Sequence, residues 1–116
     1  MDRKKELKEQ YKQMKPPMGI FMVRCKLDNK CLLEVTPNIK GKINSTRFQL
    51  ANGSHRNREL QKAWRELGED AFEFEVLENL EYDEDETKTD YKEDLALLEI
   101  IWQEKLAKEG MDFYKR

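Results

Sequence analysis

Apolar and polar positions alternate in blocks that change period along the chain. Two apolar runs, Met18-Gly19-Ile20-Phe21-Met22-Val23 and Cys31-Leu32-Leu33-Glu34-Val35, flank a short polar stretch centred on Asp28-Asn29. Asp and Asn close turns by hydrogen-bonding to their own backbone, so the pattern predicts a β-hairpin with strands over residues 18–27 and 31–36, the second ended by Pro37. On the first strand Phe21, Val23 and Cys25 share one face, and Ile20, Met22 and Arg24 the other. Residues 71–78 return to period two, with Phe72, Phe74 and Val76 inward and Glu73 and Glu75 outward, which predicts a third strand.

The remaining apolar positions follow helical spacing. Leu7, Tyr11 and Met14 give a narrow stripe, so a short amphipathic helix is expected over residues 2–14, capped by Asp2 and ended by Pro16-Pro17. Asn38 is a second cap, followed by Ile39 and Ile43. Gly41 weakens that helix by about 1 kcal/mol relative to alanine, so an irregular start is expected until Phe48 and Leu50 supply packing. After the stop Asn52-Gly53-Ser54, a helix starts near Asn57 with Leu60, Ala63, Trp64 and Leu67 as a buried stripe and Gly68 as its C-terminal glycine. A long helix runs from Tyr91 to a stop at Gly110. Tyr91, Leu95, Leu98 and Trp102 form its stripe, and Leu97, Ile100 and Ile101 widen it, which predicts cover on more than one side. Phe113 and Tyr114 are placed to fold back.

The expected order is α-β-β-α-α-β-α: an α+β fold with a small three-stranded antiparallel sheet flanked by helices. No internal repeat appears. Residues 1–16 form the N-terminal helix and residues 17–116 the domain.

Composition sharpens this picture in two respects. Of 116 residues 40% are charged and 38% hydrophobic, so the core is small and the surface very polar. The net charge of -2 conceals an asymmetry. Residues 38–65 carry Lys40, Lys42, Arg47, Arg56, Arg58, Lys62 and Arg65 against Glu59 alone, whereas residues 66–104 carry sixteen acids against Lys88 and Lys92. The first segment suits phosphate and the second repels it, although charge runs are also ordinary solvated faces. No run approaches bilayer-spanning length and no signal-peptide pattern opens the chain, which sets the expectation of a cytoplasmic protein without membrane contact.

Cys25 and Cys31 bracket the hairpin turn. An even loop pairs Cys25 with Leu32 and Cys31 with Lys26 and sends the thiols to opposite faces; an odd loop sets them opposite each other. Two reduced, buried thiols are expected. Two cysteines and one histidine do not make a zinc site. Trp64 and Trp102 read as core anchors, and His55 as a capping or packing residue.

The order of motifs resembles the GIY-YIG nuclease family. Gly19-Ile20-Phe21 stands where the family has Gly-Ile-Tyr, and Leu32-Leu33-Glu34 where it has Tyr-Ile-Gly. The block His55-x-Asn57-x-x-Leu60-Gln61-x-x-Trp64, followed by Gly68-Glu69-Asp70-x-Phe72-x-Phe74-Glu75-x-Leu77-Glu78, is similar to small bacterial members. Leu98-Glu99-x-x-Trp102 resembles the final helix, and the match spans residues 17–106.

What the resemblance implies is cleavage of a phosphodiester in DNA with one divalent cation, Mg2+, held by Glu99. It also implies tyrosine hydroxyls at the positions of Phe21 and Leu32, where this chain has none. The family's motif glycine is Glu34. The phosphate-stabilising arginine aligns with Lys42, or by an offset with Arg47, and the family's frequent histidine aligns with Thr46. General acid–base help is worth about a hundred- to ten-thousandfold, so these losses matter. Lys42 offers a point charge but no bidentate fork. Glu34 is a candidate second carboxylate. Lys40, Lys42, Arg47, Arg56, Arg58 and Lys62 are candidates for contact with a DNA backbone.

Three functions follow. A nuclease-like domain with lost or weak cleavage that binds nucleic acid is the preferred one. An active Mg-dependent endonuclease using Glu99, Glu34 and Lys42, and a non-catalytic interaction module, are the alternatives.

Overall fold

The computed structural model describes Arg3 and residues 15–115. Arg3 apart, the helix expected over residues 2–14 lies outside the described residues. The elements are β1 (Met18–Cys25), β2 (Lys30–Thr36), α1 (Ile39–Asn52), α2 (Arg58–Leu67), a 3-10 turn (Glu69–Ala71), β3 (Phe72–Leu80), α3 (Lys92–Lys108) and β4 (Asp112–Phe113).

Strand β1 is the centre of a sheet ordered β3-β1-β2-β4. β1 runs antiparallel to both β2 and β3, while β4 lies parallel to β2 through Lys30 and Cys31. The fold is α+β as expected, but the sheet has four strands and is mixed. The extra strand is the returning tail: Met111 and Phe113 pack on the core, and the Tyr114 N–H donates to the Cys31 carbonyl at 3.0 Å.

The hairpin loop holds four residues, and Arg24 sits opposite Cys31, Val23 opposite Leu32 and Phe21 opposite Glu34. This register is displaced by two residues from the even-loop pairing. A two-residue displacement preserves facing, so the thiols do lie on opposite faces, both free and both buried.

Each face of the sheet has its own core. Phe21, Val23, Cys25, Leu32 and Phe72 pack beneath Ile39 and Leu50 of α1, Leu60 of α2 and Tyr114. Ile20, Met22, Cys31 and Leu33 pack beneath Leu98 and Leu106 of α3. At the end of the sheet Met18 joins Tyr91 and Leu95. Both tryptophans are half-buried: Trp64 stacks near Phe72 at 5.1 Å between ring centres, and the Trp102 Nε1–H donates to Glu78.

Local signals explain the helix ends. The Asn38 side chain accepts from the Gly41 N–H and starts α1, which is regular throughout despite Gly41. Gly53 stops it in the left-handed region at φ 77°. The Asn57 side chain accepts from the Leu60 N–H at 3.0 Å and starts α2.

Several burial expectations fail, all at layer edges. Phe48 and Leu67 point outward, at 66% and 43% exposure, and Gln61 takes a buried place on α2 instead. Val76 is 45% exposed because β3 is an edge strand that the helices do not cover to its end. Leu97, Ile100 and Ile101 are more than half exposed, so among the described residues α3 is covered on one side. No helix of the described residues is long and apolar enough to cross a membrane.

Candidate functional site

A wide cleft opens on the Phe21 face of the sheet, at the end where β2, α1 and α2 meet. It holds about 1020 Å³ and is lined by Leu32 and Glu34 of β2, Lys42 and Gln49 of α1, the turn His55-Arg56-Asn57, Arg58 and Glu59 of α2, and Lys115. The register puts Glu34 beside Phe21, and the Asn38 cap starts α1 so that Lys42, one turn in, looks over the same strand.

The turn between α1 and α2 is held rigidly. The Gln61 amide nitrogen donates to the Leu50 carbonyl at 2.9 Å, and its oxygen accepts the His55 N–H at 3.0 Å. The Asn57 N–H then donates into His55 Nδ1 at 3.0 Å. With that lone pair engaged, the proton of the neutral ring sits on Nε2. His55 is therefore a neutral donor and not a base poised at Nε2.

The charge around it reinforces that state. Burial lowers the His55 pKa, and the Lys42 and Arg56 cations lower it further against the opposing pull of Glu34. The unfolded ring titrates near 6.5 and the folded ring below that. Stability contributed by the neutral ring is thus complete above pH 6.5 and is lost as pH falls through the folded value. His55 is the chain's single histidine. Denaturation midpoints of the parent should fall from pH 6.5 downward more steeply than those of His55→Gln, and equal slopes would contradict the assignment.

Opposite His55, Glu59 ties three segments together. It accepts from Lys30 Nζ at 2.7 Å and from the Lys115 N–H at 3.1 Å. The Lys30 hydrogen bond, then that of the Lys115 N–H, holds its carboxyl below the usual range. With Glu59 so engaged, Lys42, Arg56, Arg58 and Lys115 leave the cleft positive, with Glu34 as the other carboxylate in its lining.

The other nominated residues lie elsewhere. Phe21 is fully buried in the core, whereas Leu32, 3% exposed, forms the cleft floor. Thr46, in the family's histidine position, is buried in α1 and does not line the cleft. Arg47 lies over the Phe74 ring at 4.6 Å, in a separate groove with Phe48 and Trp64. Lys40 is exposed, and Lys62 is exposed beside Glu66 on α2. Glu99 lines a smaller cavity of about 290 Å³ with Cys31, Leu32, Leu33, Gln103, Phe113 and Tyr114.

That cavity does not fit a resident divalent ion. Burial pushes the Cys31 thiol up to about 11 and the Tyr114 phenol further, so neither offers an anionic ligand at neutral pH. One carboxylate and one amide fall short of the several oxygens magnesium requires. Among the described residues no three His, Cys, Asp or Glu side chains gather in a way that could hold a metal.

His55 and Lys115 were missed as cleft residues on sequence reasoning. A lone histidine two residues before a helix cap reads as a local cap, which it also is. Lys115 arrives through β4, and no local pattern announces a two-residue parallel strand.

No protein-family model matches the chain, and no curated protein matches it significantly. Among solved structures it resembles the catalytic domain of the intron endonuclease I-TevI in a single-substitution form, with TM-score 0.66 and 20% identity over 85% of this chain and 92% of that one. It also resembles the catalytic domain of the homing endonuclease I-TevI, with TM-score 0.66 and 19% identity over 85% of this chain and 99% of that one. The likeness at this identity is one of fold.

Proposed function

We propose that this chain, which carries the GIY-YIG nuclease fold, binds nucleic acid through the phosphate backbone in the Lys42–His55–Arg56 cleft and has lost or nearly lost cleavage. The observation that carries this reading is the chemistry of the cleft. It keeps cations and a neutral imidazole donor but has an aliphatic floor, Leu32, with Phe21 sealed beneath in the core. Four cations around one concave surface suit successive phosphates, each a point of charge neutralisation and counterion release. A hydroxyl able to pass a proton to or from a reacting oxygen is missing at both family tyrosine positions. Glu99 and Glu34 line different cavities whose linings share only the aliphatic Leu32, so the alternative of a rebuilt two-carboxylate site has no polar group between the two carboxylates on which to build. DNA, the substrate class of the endonucleases whose fold it shares, is the probe of choice.

Binding to a short duplex should weaken linearly in log Kd against log salt. Replacing Lys42, Arg56 and Arg58 together by alanine should reduce the slope by about 2.7, from a factor near 0.9 per phosphate contact. An unchanged slope, or no binding by the parent at low salt, would overturn the proposal in favour of an interaction module. Supercoiled plasmid incubated with Mg2+ or Mn2+ should stay intact. Nicking by the parent that vanishes in Glu99→Ala would instead establish a working endonuclease.

A further inference from the structure

Glu34 is the charged group of the cleft that phosphate binding does not use. Its carboxylate stands in a lining that otherwise gathers cations, where it repels the phosphates they attract. The other carboxylate there, Glu59, is engaged by Lys30 and by the Lys115 N–H. Among the described residues no hydrogen bond or salt bridge holds Glu34. Glu34 and Lys42 act on the His55 ring with opposite sign, which sets the three groups at one end of the cleft.

Strand geometry gives Glu34 a neighbour of different character. Leu32 precedes it by two residues on β2, so the two side chains stand on the same face about 7 Å apart. An aliphatic floor offers a phosphate nothing, but it suits the face of a planar ring.

We propose that this end of the cleft holds an unpaired guanine, lying on Leu32 with its N1–H and N2–H donated to the Glu34 carboxylate. Resting on the backbone binding proposed above, this assignment adds the base that the cleft reads. Guanine alone among the four DNA bases presents two adjacent donors on its Watson–Crick edge, and an ionised carboxylate accepts at both oxygens. The remaining group on that edge, O6, is an acceptor, and the Gln49 amide lines the same cleft as a donor. Adenine and cytosine offer one amino group beside a ring acceptor, and thymine one N–H between two carbonyls. Each of these sets a lone pair against a carboxylate oxygen, and that repulsion adds to the discrimination. The base must be unpaired, because in a duplex this edge is already bonded to cytosine. Lys42 and Arg56 then hold the flanking phosphates, which position the strand without reading it.

The test compares single-stranded oligothymidylates that differ only at a central base, bound to the full chain at low salt. A central guanine should bind about tenfold more tightly than adenine, cytosine or thymine, a discrimination usual for one bidentate pair. Hypoxanthine, which keeps N1–H but lacks the N2 amino group, should lose most of that advantage. Glu34→Gln separates base reading from charge alone. Removing a negative charge should strengthen or preserve binding of the thymine strand. The guanine strand should weaken, because the amide replaces one acceptor with a donor. A guanine strand that gains in Glu34→Gln by the same factor as the others would overturn the proposal, and so would hypoxanthine binding as tightly as guanine. Equal binding of all four bases by the parent would overturn it while leaving backbone binding in place. Failure of the parent to bind any strand or duplex would overturn both.

Discussion

Replacing Phe21 by alanine should lower the unfolding free energy by about 3–5 kcal/mol, the usual range for truncating a buried phenylalanine. Phe21 is fully buried on the central strand, with β2 on one side and β3 on the other. It lies against Phe74 at 6.4 Å between ring centres and shares its core with Leu32, Leu50 and Leu60. Strands on both sides restrict collapse, so a cavity would persist and its cost would come on top of the lost burial. Urea denaturation should show the midpoint falling with little change in slope. A loss under 1 kcal/mol would mean that the position is not the core residue described here. The result also bears on function: a side chain whose removal costs this much is held as a packing element, with no freedom to reach a substrate in the cleft above it.

Gly19→Ala should cost about 2–4 kcal/mol, nearly as much for one added methyl. A Cβ at this position would collide with the Glu78 carbonyl oxygen and stand 2.9 Å from Asn79 Cα, both backbone atoms of the neighbouring strand. Its φ of 153° is also one that residues with a side chain rarely adopt. Overpacking against a flexible side chain can relax by rotation; against paired backbone it must separate the strands. The same region contains the irregularity between Ile20 and Phe21 where β3 changes register, so separation there would shift the pairing of Met18, Gly19 and Ile20 with β3. Thermal unfolding of the variant should occur several degrees lower, and a melting temperature within a degree of the parent would contradict the collision.

Those two positions show what could be read in the sequence. Gly19 and Phe21 lie in a run whose alternation and turn chemistry fix a hairpin, and the strict alternation of Phe72, Glu73, Phe74 and Glu75 fixes the third strand. The cap at Asn38 falls where the residues predict it, and the helix expected to start near Asn57 is capped by that residue, because capping is decided within four residues. Burial at the outer ends was less legible. Periodicity reveals which residues share a side of a helix, but not whether another element reaches that side; hence Phe48, Leu67 and Leu97 are exposed. The cleft was half legible. Glu34 and Lys42 follow from strand and helix phase, and Arg56 and Arg58 from charge. His55 and Lys115 depend on contacts between segments distant in sequence, through Gln61 to Leu50 and through β4 to β2, which no local pattern encodes.

The hairpin register has a consequence for how the molecule comes apart. It leaves one thiol in each hydrophobic layer: Cys25 under α1 and α2, Cys31 under α3 and β4. Each sulfur reacts with a small electrophile only when its own layer opens, so the native chain carries two internal clocks. Equal labelling rates would identify a single cooperative unit. A faster Cys31 would mean that α3 detaches as a separate foldon while the cleft stays assembled, and a faster Cys25 would mean that the cleft itself is the first part of the molecule to loosen.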